Sequence, residues 1–315
     1  MLNSMLAFSV TQKASDLHLS SGEVPCIRIN GKLKFISSDK LSPVKLKIDL
    51  LNLLDDDQKV TLQQHQQIDF AYYLENVGRF RVNIFYQQRG ISAVFRIINQ
   101  QIPTLCEIEA PEILKKLVNV ESGIILVTGA TGSGKSTTLA ALIQYINQIA
   151  AKHIITLEDP IEFIYQNEKS LIQQREISHF GEAIDSLLRQ DPDIIMFGEL
   201  RNKTTIQAAL IAAETGHLVF ATLHTNSAIE TINRIIDVFE YGSRELIRTQ
   251  LSSSLQAIIC QKLIPYNDTR KAIFEVLINT PAVSNLISEG KIKQILSLMQ
   301  TGQQYGMQLM SNESI

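Results

Sequence analysis

The sequence predicts an α/β protein in two parts, a smaller sheet-rich α+β module followed by a larger P-loop core built on a parallel sheet. Three observations predict this. Short period-two segments fill the chain up to residue 98, short continuous apolar runs alternate with helical stretches beyond residue 111, and a GxxxxGK[ST] motif directly follows the first of those runs. The 315 residues are enough for about two domains.

Composition narrows the function classes. Lys and Arg number 29 against 32 Asp and Glu, a net charge of −3, which disfavours gripping nucleic acid through a strongly basic surface. Apolar residues make up 45% and charged residues 19%, a globular rather than disordered balance. Cys26, Cys106 and Cys260 are far apart with no CxxC pair. That pattern gives neither a disulfide framework nor a four-cysteine zinc site, and it suits a reducing compartment. Met1 to Val10 has no positive charge before Lys13 and no small-residue cleavage pattern, so it reads as a first helix and not a signal peptide. No apolar run approaches the roughly 18 residues needed to cross a bilayer. The expectation is a soluble protein that makes no direct nucleic-acid contact and reaches a membrane only through partners.

In the first module, Asp16 to Ser20, Cys26 to Asn30, Lys32 to Ile36, Asp69 to Tyr73, Arg79 to Tyr86 and Ile91 to Ile98 alternate apolar and polar residues. They predict half-buried antiparallel strands, with Asn30-Gly31 as a hairpin turn and Val44 to Leu54 as a helix. Alternation places Arg79, Arg81 and Asn83 on one face and sends Phe80 and Val82 into the core. Arg96 stands on a neighbouring strand. Two readings are open for these cations: a solvated basic face, or Arg81 and Arg96 as arginine fingers that stabilise charge on a transferring phosphoryl group. Residues 99–111, with Pro103 and Pro111 around a polar stretch, break the pattern and are read as linker and hinge between domains 1–98 and 112–315.

Beyond the linker, Ile124 to Thr128, Ile154 to Leu157, Ile194 to Phe197 and Leu218 to Leu223 are short apolar runs of the kind buried on both faces of a sheet. Helical stretches at Ser136 to Ile149, Phe180 to Arg189 and Thr204 to Thr215 separate them, so the sheet is parallel with crossover connections. There is no internal repeat, and the glutamine cluster at Gln63 to Gln67 is too short to count as low complexity.

The chemistry follows the runs. Gly129-Ala-Thr131-Gly132-Ser133-Gly134-Lys135-Ser136 sits between a strand and a helix, the context in which backbone N–H groups and a helix terminus cradle phosphates. Lys135 would reach the β- and γ-phosphates of ATP and the Ser136 hydroxyl would ligate Mg²⁺. Thr137 completes this set, and an accidental Gly-rich turn is the rare alternative. Glu199, after the run Ile194 to Phe197, would orient or deprotonate the attacking water, unless it is an ordinary exposed acid at a strand end. Glu158, in Leu157-Glu158-Asp159-Pro160-Ile161-Glu162, would act on that water or on Mg²⁺ through its hydration shell, with a Pro-bounded turn of solvated acids as the alternative. His217 and His224 stand at the two ends of one buried run. They are structural histidines or, for His224, a sensor of the γ-phosphate; a metal site lacks a third ligand nearby.

With these motifs in place, almost the whole chain resembles the hexameric ATPases of type IV pili and type II secretion, and within them the pilus retraction (twitching motility) branch. The resemblance is carried by Ala14 to Leu19, Gly78 to Asn83, Ala93 to Arg96, the P-loop, Thr156 to Glu162, Gln174 to Glu176, Leu188 to Asp193, Gly198 to Arg201 and Glu214 to Asn226. It implies a PAS-like first domain and a RecA-like second domain in a homohexamer, with ATP and Mg²⁺ as cofactors. It places Glu158 in the Asp box, Glu199 in the Walker B strand, and His217 and His224 in the His box, with His217 among the nucleotide-binding residues. Arg81 and Arg96 match the γ-phosphate-contacting arginines. An inner-membrane pilus platform protein is the implied partner, with paralogous pilus ATPases as further candidates, at the cytoplasmic face of the inner membrane.

The chain is too short for the additional amino-terminal domain of the secretion and assembly branches and lacks the cysteines of their zinc insertion, which favours retraction. Glu275 to Pro281 and Met299 to Gly302 also resemble the retraction branch. Three features depart from it: Ser284 and Ser288 replace arginines of the carboxyl-terminal signature, the tail stops at Ile315, and Asn202 replaces an acid. The alternatives are a nucleotide-binding accessory subunit that co-assembles with a paralogous motor, and a nucleic-acid translocase on the same core.

Overall fold

The computed structural model describes residues 1–29, 31–98, 101–177, 187–266 and 269–310. They form two compact units, Met1–Gln101 and Ile102–Ile315. The division falls inside the stretch read as linker. Asn99 and Gln100 lie outside the described residues, while Ile102, Leu105, Ile108 and Ala110 pack into the core of the second unit.

The first unit opens with α1 (Leu2–Thr11) and carries one antiparallel sheet in the order β3-β2-β1-β6-β5-β4. The strands are β1 (Asp16–Ser20), β2 (Cys26–Ile29), β3 (Lys32–Phe35), β4 (Gln67–Leu74), β5 (Gly78–Gln87) and β6 (Gly90–Ile98). Ile29 pairs with Lys32, so the hairpin read from Asn30-Gly31 is present in its strands, although Asn30 itself lies outside the described residues. Alternation works as predicted in β5: Phe80, Val82 and Ile84 are fully buried and the residues between them are half-exposed. Leu2 and Leu6 of α1, Leu46 and Leu50 of α2 (Pro43–Leu51), and Leu62 of α3 (Asp56–His65) join the same core.

Helix α3 was not expected. It buries only Leu62, so no apolar period marks it, and it is secured instead by a capping box in which Asp55 Oδ1 accepts from Gln58 N at 2.8 Å while Gln58 Oε1 accepts from Asp55 N at 3.1 Å.

The second unit carries a seven-stranded sheet in the order β13-β12-β7-β11-β10-β8-β9. Its strands are β7 (Gly123–Thr128), β8 (His153–Glu158), β9 (Leu171–Glu176), β10 (Ile194–Phe197), β11 (Leu218–Leu223), β12 (Leu255–Tyr266) and β13 (Thr269–Ile278). All neighbours pair in parallel except β13, which returns antiparallel to β12. Every residue of β7, β10 and β11 is buried, as expected of strands covered on both faces. One face packs against α4 (Ile113–Leu117) and α5 (Lys135–Ile149). The other packs against α6 (Lys203–Glu214), α7 (Ala228–Asp237), α8 (Arg244–Ser254), α9 (Pro281–Ser288) and α10 (Ile295–Thr301).

The sequence did not reveal β9 or the β12–β13 hairpin. Most of β9 is polar and half-exposed at the sheet edge, and the apolar start of β12 continues directly from α8, where periodicity cannot separate strand from helix. The helical stretch Phe180 to Arg189 falls mostly outside the described residues, of which Leu188–Gln190 forms a 3₁₀ turn. Among the described residues, no helix is long and apolar enough to cross a membrane.

Phe80 is fully buried, and its ring meets that of Phe95 edge-on at 6.3 Å between centroids. Phe80→Ala is expected to destabilise the first unit by about 3–5 kcal/mol, read as a lower urea midpoint. A loss below about 1 kcal/mol would show that the neighbouring side chains collapse into the space.

Candidate functional site

The P-loop leaves the sheet where β7 ends, with β7 held between β11 and β12. At Gly129 φ is +148°, and at Gly134, the residue capping α5, φ is +88°. Both values lie in the region that glycine alone adopts cheaply. Lys135 is buried and donates from Nζ to Gly129 O at 2.8 Å and Ala130 O at 3.0 Å. Burial lowers its pKa, and the charges of Glu199 and Glu162 oppose that shift. Ser133 Oγ is buried without a hydrogen-bond partner, while Thr131 and Gly132 are exposed and Ser136 and Thr137 half-buried at the start of α5. The loop thus presents a cation, a hydroxyl lacking a partner and a helix amino terminus together, a combination suited to an anion.

At the same sheet edge, a line of polar contacts begins at this loop. Thr131 Oγ1 lies 3.4 Å from His224 Nδ1, just after β11. His224 Nε2 lies 3.2 Å from Glu199 Oε1, two residues after β10. Arg201 Nε donates to Glu199 Oε2 at 2.8 Å, and its guanidinium also donates to Asp159 Oδ2 at 3.1 Å. A recess of about 350 Å³ opens onto Glu199, Arg201, His224, Glu230 and Arg234. Glu199 is therefore no isolated exposed acid, because two cationic or proton-bearing side chains hold its two oxygens.

Glu158 ends β8 and is buried, with Oε1 accepting from Thr156 Oγ1 at 2.7 Å and Gln174 Nε2 at 3.2 Å. Burial raises its pKa, against the pull of those hydrogen bonds. Asp159 goes instead to Arg201, and Glu162 acts on Lys135 through its charge. Arg201 and Gln174 are the contacts that sequence reasoning left without a role. Both lie in segments that carried the family resemblance, but Gln174 meets Glu158 and Arg201 meets Asp159 only across strands. Among the described residues, no group of three or more His, Cys, Asp or Glu is placed to hold a metal.

One expected residue of the second unit is not brought to this edge. His217 precedes β11 at its other end, its Nδ1 3.0 Å from Ala212 O and 3.1 Å from Thr215 Oγ1. The six-residue strand between it and His224 spans roughly 20 Å, so within one chain His217 lies at the opposite sheet edge from the P-loop. This is the placement read from the sequence for the two histidines, one at each end of the strand. Arg81 and Arg96 belong to the first unit, where they are directly paired across β5 and β6. Arg96 Nε donates to Asp16 at 3.1 Å and Arg81 Nε lies 3.7 Å from Asp69. The two acids offset the repulsion of like charges set opposite each other.

The three substituted side chains find hydrogen-bond partners. Asn202 caps α6, its Oδ1 accepting from Thr205 N at 3.0 Å. Ser284 Oγ donates to Ser252 O at 2.7 Å, and Ser288 Oγ to Asn285 O at 2.9 Å.

A model of the type II/IV secretion system protein family matches residues 1–275. This chain belongs to that family. It is similar to the type IV pilus retraction ATPase PilT of Pseudomonas aeruginosa, at 46% identity over 98% of this chain and 91% of that one. It is similar as well to a twitching motility protein of Neisseria gonorrhoeae, at 47% identity over 98% of this chain and 86% of that one. A crystal structure of the pilus retraction motor PilT with bound ADP matches with a TM-score of 0.90 at 42% identity, covering 95% of this chain and 89% of that one. The family's architecture agrees with the parallel-sheet core and the smaller antiparallel module described above.

Because the folded-state pKa of Glu158 lies above its ordinary value of 4.5, the folded chain keeps a proton that the unfolded chain releases. Stability therefore falls as pH rises from 4.5 through the raised value. Glu158→Gln preserves an acceptor for Thr156 and removes that penalty. The nucleotide-free variant is expected to melt above wild type at neutral pH, with the gap closing towards pH 4.5. Identical melting curves at neutral pH would show that Glu158 carries no such penalty.

Proposed function

We propose that this chain is the motor ATPase of type IV pilus retraction, a homohexamer that hydrolyses Mg-ATP and drives twitching motility. It works in the cytoplasm at the inner membrane, against a platform protein of the pilus machine. The observation that carries this reading is the meeting, at one edge of one sheet, of the P-loop, Glu199 held by His224 and the buried Glu158, in a chain that aligns along most of its length with a pilus retraction ATPase.

Each residue then has a task. Lys135 exchanges the carbonyls of Gly129 and Ala130 for the β- and γ-phosphates, and the loop N–H groups from Thr131 to Thr137 surround the phosphate oxygens. The Ser136 hydroxyl would hold Mg²⁺ directly and Glu158 would hold it through water. Hard oxygen donors suit an ion that keeps several waters, and it would neutralise charge on the phosphates. Glu199 orients or deprotonates the attacking water, and His224 links it to Thr131 so that the state of the loop is felt at the base. Arg81 and Arg96 supply positive charge to the transition state once they exchange Asp69 and Asp16 for phosphate oxygens. The hinge lies within residues 99–111, between a PAS-like domain of residues 1–98 and a RecA-like domain of residues 112–315.

Deletion of the gene is expected to give excess surface pili with lost surface motility, not restored by a Glu199→Gln copy. A bald cell would assign the chain to assembly, and normal piliation would favour an accessory subunit. Purified Glu199→Gln is expected to bind ATP while turnover falls by at least about 100-fold, and retained turnover would remove Glu199 from the reaction. Arg81→Ala and Arg96→Ala are expected to lower kcat with binding largely kept.

A further inference from the structure

Beside the P-loop lies a polar residue to which nothing above assigns a role. Gln261 follows the apolar run Ala257 to Cys260 on β12 and is only 4% exposed. In the parallel register of β12 with β7, Ile259 stands opposite Val127 and Cys260 opposite Thr128. Gln261 therefore comes next, level with the point where β7 turns into the phosphate loop. A buried amide is costly unless bonded, and this one is bonded to the loop's exit helix: its Oε1 accepts from Thr138 Oγ1 at 2.6 Å, Thr138 being fully buried in the first turn of α5.

The same residue bounds both ends of the loop. A Cβ on Gly129 would stand 2.3 Å from Gln261 O, and a Cβ on Gly134 would stand 2.8 Å from Gln261 Nε2. Gly129 and Gly134 are thus restricted twice, by positive φ and by the space that Gln261 occupies. Gln261 sets the second of these restrictions from a strand more than 120 residues later in the chain.

We propose that Gln261 is a positioning residue of the phosphate cradle. It fixes the distance between the first and last glycines and ties the start of α5 to β12, so that the loop N–H groups converge before nucleotide arrives. It acts through the loop and not by touching phosphate. The proposal rests on the nucleotide-site reading above.

Steady-state ATP hydrolysis by the full-length chain tests it, with binding of a fluorescent ADP analogue as a second readout. Gln261→Ala is expected to raise KM for ATP, and weaken ADP binding, about tenfold, the scale of one lost hydrogen bond. The kcat at saturation should stay near wild type, while the nucleotide-free melting temperature falls by a few degrees because the buried Thr138 hydroxyl loses its partner. Gln261→Glu keeps an acceptor for Thr138 but sets a negative charge under the loop, so its KM should rise further, and added salt should recover little of it because the site is buried. Thr138→Val should match Gln261→Ala, and the double variant should be no worse than either single change, as expected for two groups in one contact. A wild-type KM in Gln261→Ala, additive losses in the double variant, or a fall of kcat at saturation would overturn the proposal. Lys135→Ala separates the two levels. If it abolishes binding while Gln261→Ala binds normally, only the role of Gln261 fails, whereas full ATP binding by Lys135→Ala removes the nucleotide-site reading itself.

Discussion

The fixed end of β7 is the constraint on which the second unit depends. Parallel neighbours on both sides and buried side chains on both faces leave β7 no freedom to slide, because a shift of one residue would exchange the residues facing the two helical layers. Thr128 therefore marks a set point in space, and the loop, Lys135 and the first turn of α5 are all placed from it. The neighbouring strands β8, β10 and β11 end at the same edge, which is why Glu158, Glu199 and His224 arrive beside a loop distant in sequence. This is the edge at which open parallel sheets present their ligand-binding loops.

Lys135, Glu199 and Arg201 each have partners at that edge. Lys135 is desolvated and bonded to two carbonyls, Glu199 is shared between His224 and Arg201, and Arg201 also serves Asp159. Glu158 differs, since its partners are a hydroxyl and an amide and burial pushes it towards the neutral form. Two carboxyl groups near one loop thus have unlike environments, one solvated and ion-paired, the other buried and hydrogen-bonded. Such a division suits different tasks in one reaction.

The first unit solves a simpler problem with the same economy of pattern. Its sheet buries every second residue of β5, and that rule presents Arg81 on the opposite face, directly across from Arg96. Two guanidinium groups side by side would repel, and Asp69 and Asp16 keep them in place. The acids were not legible as partners because they sit on different strands, β4 and β1, whose pairing no local pattern announces. Helix α3 escaped notice for a related reason: its stability comes from a capping box and one buried leucine, which leave no period to read.

The sequence by itself determined what depends on neighbours along the chain. Alternation fixed the strands of the first module, apolar runs fixed the buried strands of the second, and the spacing of Gly129, Gly134, Lys135 and Ser136 fixed the phosphate loop. These follow from the two-residue period of a strand and the local geometry of a turn into a helix. Tertiary structure alone decided what depends on strand order. It set β12 rather than another strand against β7, and so put Gln261 beneath the loop. It brought Gln174 to Glu158 and Arg201 to Asp159. The order of strands in a sheet is chosen by the burial of whole faces, a sum over many residues, and no single motif carries it.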